Sequence, residues 1–334
     1  MIPRQAVQAA FRFEETETVP HWLQMEPAVR DRLAEHYGSP TWDEGLTTYV
    51  AGWHTIRQEQ RPDGAWRDPF GAAFEPGSIC RLVDHALPEP SLDGYAWPDP
   101  ETIIDWKGLE EAFSPFGDAF RLSGLAWGLF ERAWTLRGME NFLMDMVADE
   151  NFTNELLDGI LDIHLRTMDA MVKRIPLDAY FGGDDWADQR GPMMGVELWR
   201  KYIKPPLARL VGRAHEHGLP YVLHSCGNVL PLIDDLMEIG LDALESLQPE
   251  AMDVYELKRR VAGRMVLIGG LGVQSTLPFG TPDDVRNETQ RLMRELGKGG
   301  GYVFAPAKPL MPDVPTANAA SLVEAVRESG RTSS

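Results

Sequence analysis

Residues 224–228 read His224-Ser225-Cys226-Gly227-Asn228 and follow directly on the apolar run Tyr221-Val222-Leu223. Side chains two apart on a strand point the same way, so the His224 imidazole and the Cys226 sulfur converge at a strand end. Imidazole with thiolate at that spacing suits zinc. A His and a Cys that merely cap a strand are the alternative. Glu245 closes the next run, Leu241-Asp242-Ala243-Leu244-Glu245. Neighbouring barrel strands lie about 5 Å apart, so Glu245 is placed to complete a metal site of His224, Cys226 and Glu245, or else to form a salt bridge at the rim.

A second constellation, Gly182-Gly183-Asp184-Asp185-Trp186, ends the run Ala179–Gly182. Adjacent carboxylates raise each other's cost of ionisation, so one can keep a proton and act as an acid. Consecutive strand residues point opposite ways; one aspartate is expected in the pocket and the other as a cap of the following helix. Asp184, Asp185 and His224 are therefore the candidate catalytic residues. Arg190 is placed to pair with a carboxylate or an anionic ligand. Lys308, in the proline-rich stretch Pro306–Pro315, is a candidate carbonyl or anion partner, with plain solvation as the alternative. Gln189, Gln248 and Trp127 complete the expected substrate-binding set. Gly269-Gly270-Leu271-Gly272 has no phosphate-loop frame around it and reads as close backbone packing.

Holding these residues together requires a sheet with its strand ends on one rim. Apolar runs at Val19–Gln24, Phe120–Ala126, Ala179–Gly182, Tyr221–His224, Ala243–Leu247, Met265–Ile268 and Tyr302–Ala305 read as strands. The segments Asn151–Lys173, Val196–Glu216, Leu230–Ile239, Val254–Val261 and Pro282–Leu296 carry helical spacing. Alternation of this kind implies a parallel sheet. Pro205-Pro206 removes two backbone donors and predicts a kink or break inside its helix. The stretch from about 55 to 115 reads as an insertion around a strand or hairpin near Ile79–Val83, and residues 330–334 as a frayed tail. A single domain over 1–334 follows, an α/β fold with the size of one (β/α)₈ TIM barrel.

Lys+Arg number 32 against 51 Asp+Glu, a net charge of −19, which repels phosphate backbones and anionic lipid. Neither nucleic acid nor a membrane is an expected partner. Two cysteines far apart form no disulfide framework and suit a reducing compartment, so a cytoplasmic location is expected. There is no apolar N-terminal run of the kind that marks an export signal, and no membrane-length apolar stretch. Cys80 is expected to lie buried and inert.

Taken together, Trp127-Gly128-Leu129-Phe130-Glu131-Arg132-Ala133-Trp134, Leu136–Asn141, Gly183-Asp184-Asp185-Trp186, Leu223–Asn228, Gln248–Asp253 and Thr276–Pro282 resemble the uroporphyrinogen decarboxylase superfamily from about Val19 to Glu328. The resemblance implies a (β/α)₈ barrel with its site at the C-terminal rim. Two chemistries occur in that superfamily. Its decarboxylases bind a polycarboxylated porphyrinogen with an arginine-rich loop after the first strand, where this chain reads Leu23-Gln24-Met25-Glu26-Pro27-Ala28-Val29-Arg30. Its corrinoid-linked thiol methyltransferases carry the HxC zinc ligands matched by His224 and Cys226, plus a late cysteine where this chain has Pro306-Ala307-Lys308. Cobalamin-independent methionine synthases resemble this branch and add a glutamate on the next strand, the place of Glu245.

The resemblance thus implies zinc-dependent methyl transfer between a small methylated donor or a methylcorrinoid protein and an acceptor. Metal-free decarboxylation using Asp184 or Asp185 is the first alternative. A non-catalytic partner that binds a corrinoid protein or tetrapyrrole is the second. The expected partners are a small molecule and, as candidates, a corrinoid protein and a second copy of the chain.

Overall fold

Strands at the centre of this protein are buried on both faces, which is why they read as continuous apolar runs rather than as alternating ones. The computed structural model describes residues 1–53, 56–75 and 81–329. Among these residues eleven strands form two sheets: β1 (Val50–Trp53), β2 (Glu59–Gln60), β3 (Trp66–Arg67), β4 (Ala73–Phe74), β5 (Leu82–Asp84), β6 (Phe120–Ser123), β7 (Ala179–Gly183), β8 (Tyr221–His224), β9 (Ala243–Leu247), β10 (Val266–Leu271) and β11 (Tyr302–Pro306). The larger sheet is parallel throughout and runs in the order β1-β6-β7-β8-β9-β10-β11.

This curled seven-stranded sheet is a TIM-barrel-like α/β fold. Val19–Gln24, expected as a strand, contributes only isolated parallel bridges, His21 to Phe304 and, just beyond it, Met25 to Leu310. Among the described residues, seven strands are laddered in the larger sheet. Inside the curl, Trp22, Phe181, Val222, Ile268 and Val303 pack together, while a larger apolar layer fills the space between the sheet and the outer helices. The N-terminal helix Pro3–Phe11 adds Val7 and Ala10 to the inner cluster, and Phe11 stacks on Phe120 at 5.3 Å.

The expected strand near Ile79–Val83 is β5, the edge of a four-stranded antiparallel sheet β2-β3-β4-β5. Ile79, Cys80 and the 330–334 tail lie outside the described residues. The helix expected over Val196–Glu216 is interrupted by a π turn at Trp199–Ile203, one turn earlier than the prolines. Pro205 and Pro206 fall in the first turn of the segment Lys204–Glu216, where their missing N–H groups cost little. Sequence pattern did not mark β1 or the helices Leu129–Arg137 and Met139–Ala148. Among the described residues no helix is long and apolar enough to cross a membrane.

Candidate functional site

Cross-strand register brings the site together. Gly183 pairs with His224, and His224 pairs with Glu245, across β7, β8 and β9. Paired residues in neighbouring strands stand about 5 Å apart on the same face, so the next residues along, Asp185 and Cys226, gather around the His224 ring. Nε2 of His224 lies 3.4 Å from the Cys226 sulfur and 3.5 Å from Asp185 Oδ1. One ligand atom each from Asp185, His224 and Cys226 falls within 4.8 Å of the others, a spacing that could hold a metal ion.

Of the two places its sequence position offered, Glu245 takes the ion pair rather than a place among the clustered metal-ligating atoms. Its Oε2 pairs with Nδ1 of His224, on the opposite edge of the ring from Cys226. A carboxylate on the second nitrogen fixes tautomer and ring orientation for whatever meets the first. The carboxylate that joins His224 and Cys226 is Asp185, because it sits two residues beyond the Gly183–His224 pairing. Burial alone would lower the His224 pKa, but Glu245 and the Cys226 sulfur outweigh it and hold it well above the ordinary value.

Backbone contacts fix the loop that carries Cys226. Asp185 Oδ1 accepts from Cys226 N at 2.7 Å, and buried Gln248 Oε1 accepts from Gly227 N at 3.2 Å. Gly227 has φ +79°, and a Cβ there would stand 2.3 Å from the Ala187 carbonyl oxygen, so only glycine fits. A Cβ on Gly269, at φ +123°, would likewise stand 2.5 Å from Leu247 N, so the backbones of β9 and β10 pack closely there.

Asp184 turns the other way from Asp185. It accepts from Phe130 N at 3.0 Å and Glu131 N at 2.8 Å, and so caps the helix Leu129–Arg137, which precedes it in the chain, instead of the following helix. Burial pushes it up to about 6 despite those two donors. The same cap delivers Glu131 to the site, where burial and then the charges of Asp185 and Asp184 push its carboxyl up to about 8. Glu131 was missing from the sequence-derived set. Its local context is an ordinary first helical turn, and the cap from Asp184 is a long-range contact.

Lys308 sits at the rim with its ammonium against the Cys226 sulfur. Burial would lower its pKa, yet Cys226, Asp185 and Glu131 together keep it above the usual lysine value. Trp127, at φ +57°, stacks on Trp66 at 6.0 Å and packs at a tilt against Phe74 at 4.5 Å, which ties it to the small antiparallel sheet. Arg190 and Gln189 lie on the exposed loop 187–192: Arg190 N donates to Asp188 Oδ1 at 2.6 Å, and Gln189 Nε2 meets Gln274 Oε1 at 3.4 Å. Among the described residues, no side-chain bond ties either one to His224 or Cys226. The loop acts through its backbone, with Asp188 O accepting from Asn228 N at 2.7 Å.

Comparison with known proteins agrees with this geometry at the level of fold and family. The family model described as uroporphyrinogen decarboxylase (URO-D) matches residues 112–329. A uroporphyrinogen decarboxylase of Chlorobium limicola is 28% identical over 62% of this chain and 58% of its own length, and one of Chlorobaculum parvum is 25% identical over 69% of both. The chain thus spans under two thirds of the length of the first of these relatives. A solved methyltransferase from Methanosarcina mazei superposes with a TM-score of 0.74 over 98% of this chain and 99% of that one, at 20% identity.

Proposed function

Because the chain belongs to the uroporphyrinogen decarboxylase (URO-D) family, whose members are enzymes, we propose that it transfers a methyl group from a small methylated donor or a methylcorrinoid protein to an acceptor, with zinc on Asp185, His224 and Cys226. The observation that carries this reading is the convergence of oxygen, nitrogen and sulfur donors within 4.8 Å, backed by a carboxylate on the far nitrogen of the histidine. Such a donor set fits zinc, and three protein ligands leave a coordination position open. When bound, zinc would hold an acceptor thiol as thiolate, the nucleophilic form, at neutral pH.

Around that position the residues of this chain have separate tasks. Glu245 keeps Nε2 of His224 facing Cys226. Asp185 and Gln248 hold the backbone of the Cys226 loop. Lys308 places a positive charge beside the sulfur and favours an anionic acceptor there. Trp127 offers a stacked aromatic face.

Decarboxylation is the second reading, favoured by Glu131. With its pKa near 8, that carboxyl is largely protonated at pH 7, and a held proton is what the carbanion left by loss of CO₂ requires. Metal analysis separates the two. About one zinc per chain, lost in His224→Ala and Cys226→Ser, supports methyl transfer; less than about 0.2 per chain, unchanged in His224→Ala, overturns it. Turnover that survives Cys226→Ser but not Glu131→Gln would establish decarboxylation.

A further inference from the structure

Residues Pro20 to Glu26 make backbone hydrogen bonds on one side only. Trp22 N donates to Phe304 O at 2.8 Å, Phe304 N to Pro20 O at 2.9 Å, and Glu26 N to Leu310 O at 2.9 Å. β1, the strand that would follow around the curl, ladders with β6. Among the described residues, no hydrogen bond joins the His21–Met25 backbone to β1. The barrel wall therefore has an open seam.

Along the seam lies a cavity of about 670 Å³ that reaches from His21 and Trp22 on one edge to Val50 and Gly52 on the other. A second cavity of about 350 Å³ shares His21, Leu46, Thr47 and Tyr49 with it. Combined, they are of the size that encloses small organic ligands. His21 is only 5% exposed, and neither of its ring nitrogens has a hydrogen-bond partner. The Thr47 backbone lies beside the ring, and the Tyr49 ring meets it edge-on at 4.8 Å. Buried polar atoms are nearly always satisfied, so two orphaned nitrogens on a cavity wall point to a missing partner. Burial pushes His21 down to about 4, which leaves the ring neutral at pH 7, able to donate from one nitrogen and accept at the other.

The wall also selects by charge. Arg30 is committed to Asp43 and to the face of Trp42, at 5.6 Å. In the smaller cavity Arg327 is committed to Glu324, so the charged groups left over on the two walls, Glu26 and Glu44, are acidic. An anion would meet these carboxylates without a free cation to answer it. Apart from these, Trp22, Tyr49, Phe116, Leu46 and Thr47 make the surface aromatic, aliphatic or neutral and polar.

We propose that this seam is a second ligand site, distinct from the His224–Cys226 centre, which takes a planar aromatic molecule that carries no negative charge and bears a hydroxyl or amide that pairs with His21. It requires neither the metal nor the methyl transfer proposed above. Ligand-detected NMR and calorimetry on the full chain test it with phenol, indole, 4-hydroxybenzamide and, as an anionic control, 4-hydroxybenzoate. At least one neutral probe should bind with Kd below about 1 mM. His21→Leu, which removes both nitrogens, and Thr48→Trp, which fills the cavity from an exposed wall position, should each weaken it about tenfold. Thr48→Trp keeps the test decisive should His21→Leu fail to fold. Absence of binding by every neutral probe, equal binding by 4-hydroxybenzoate, or full binding in Thr48→Trp would overturn the proposal.

Discussion

Replacing Glu245 by Gln leaves the volume at its site unchanged and removes one charge from the far side of the His224 ring. The carboxylate side chain is 7% exposed and pairs with Nδ1 of His224, whose Nε2 lies 3.4 Å from the Cys226 sulfur and 3.5 Å from Asp185. Glutamine can still accept from Nδ1–H, so the ring keeps its direction. What disappears is the charge assistance: a hydrogen bond to a charged group contributes about 1.5–3 kcal/mol and a neutral one about 0.5–1.5, a difference near 1–1.5 kcal/mol. That corresponds to a five- to tenfold rise in zinc Kd, roughly the lower end of the range for outer-shell substitutions. Glu245→Ala, which also frees the ring, should reach about a hundredfold. Competition against a chromophoric chelator measures both. A Glu245→Gln protein with zinc affinity within about twofold of the parent would refute the assignment of Glu245 as the orienting partner, and a loss as complete as in Cys226→Ser would make it a direct ligand instead.

Three other substitutions probe the frame around the site. Arg132 and Asp68 form an ion pair with both side chains fully buried, and the guanidinium lies 3.9 Å from the Phe70 ring and 5.0 Å from that of Trp127. Asp68→Asn strands a buried charge and should cost about 3–5 kcal/mol in urea unfolding, with Asp68→Asn/Arg132→Met recovering much of it; a cost under 1 kcal/mol contradicts this. Gly227→Ala forces a Cβ against the Ala187 carbonyl at positive φ and should lower both the unfolding midpoint and zinc binding, by about 2 kcal/mol or more in stability; an unchanged midpoint argues against the loop geometry. His164 is buried, and burial followed by the charge of Arg132 pushes it down to about 3 from an ordinary 6.5. Below pH 6.5 the unfolded chain therefore takes up a proton that the folded chain refuses, and stability falls as pH drops from 6.5 towards 3, by up to about 1.4 kcal/mol per unit for this residue. His164→Gln should flatten the stability profile between pH 6 and pH 4, measured by denaturant midpoints, and an unaltered slope would show that the residue does not contribute.

Much of this protein was settled locally. β8 and β9 coincide with the apolar runs Tyr221–His224 and Ala243–Leu247, and the helices Val254–Val261 and Pro282–Leu296 match their patterned segments, because burial on both faces of a strand, or along one stripe of a helix, writes itself into residue spacing. His224 and Cys226 could be joined on the same ground, as strand geometry relates residues two apart without reference to the rest of the chain. Which carboxylate would stand with them was another matter. Asp185 and Glu245 are both next to His224 in space, and the choice between them turns on which edge of the ring each approaches, a consequence of register across three strands. The capping of Leu129–Arg137 by Asp184, the arrival of Glu131 and the open seam beside His21 have the same origin: each depends on contacts between segments far apart in sequence, and no short-range pattern encodes where such segments meet.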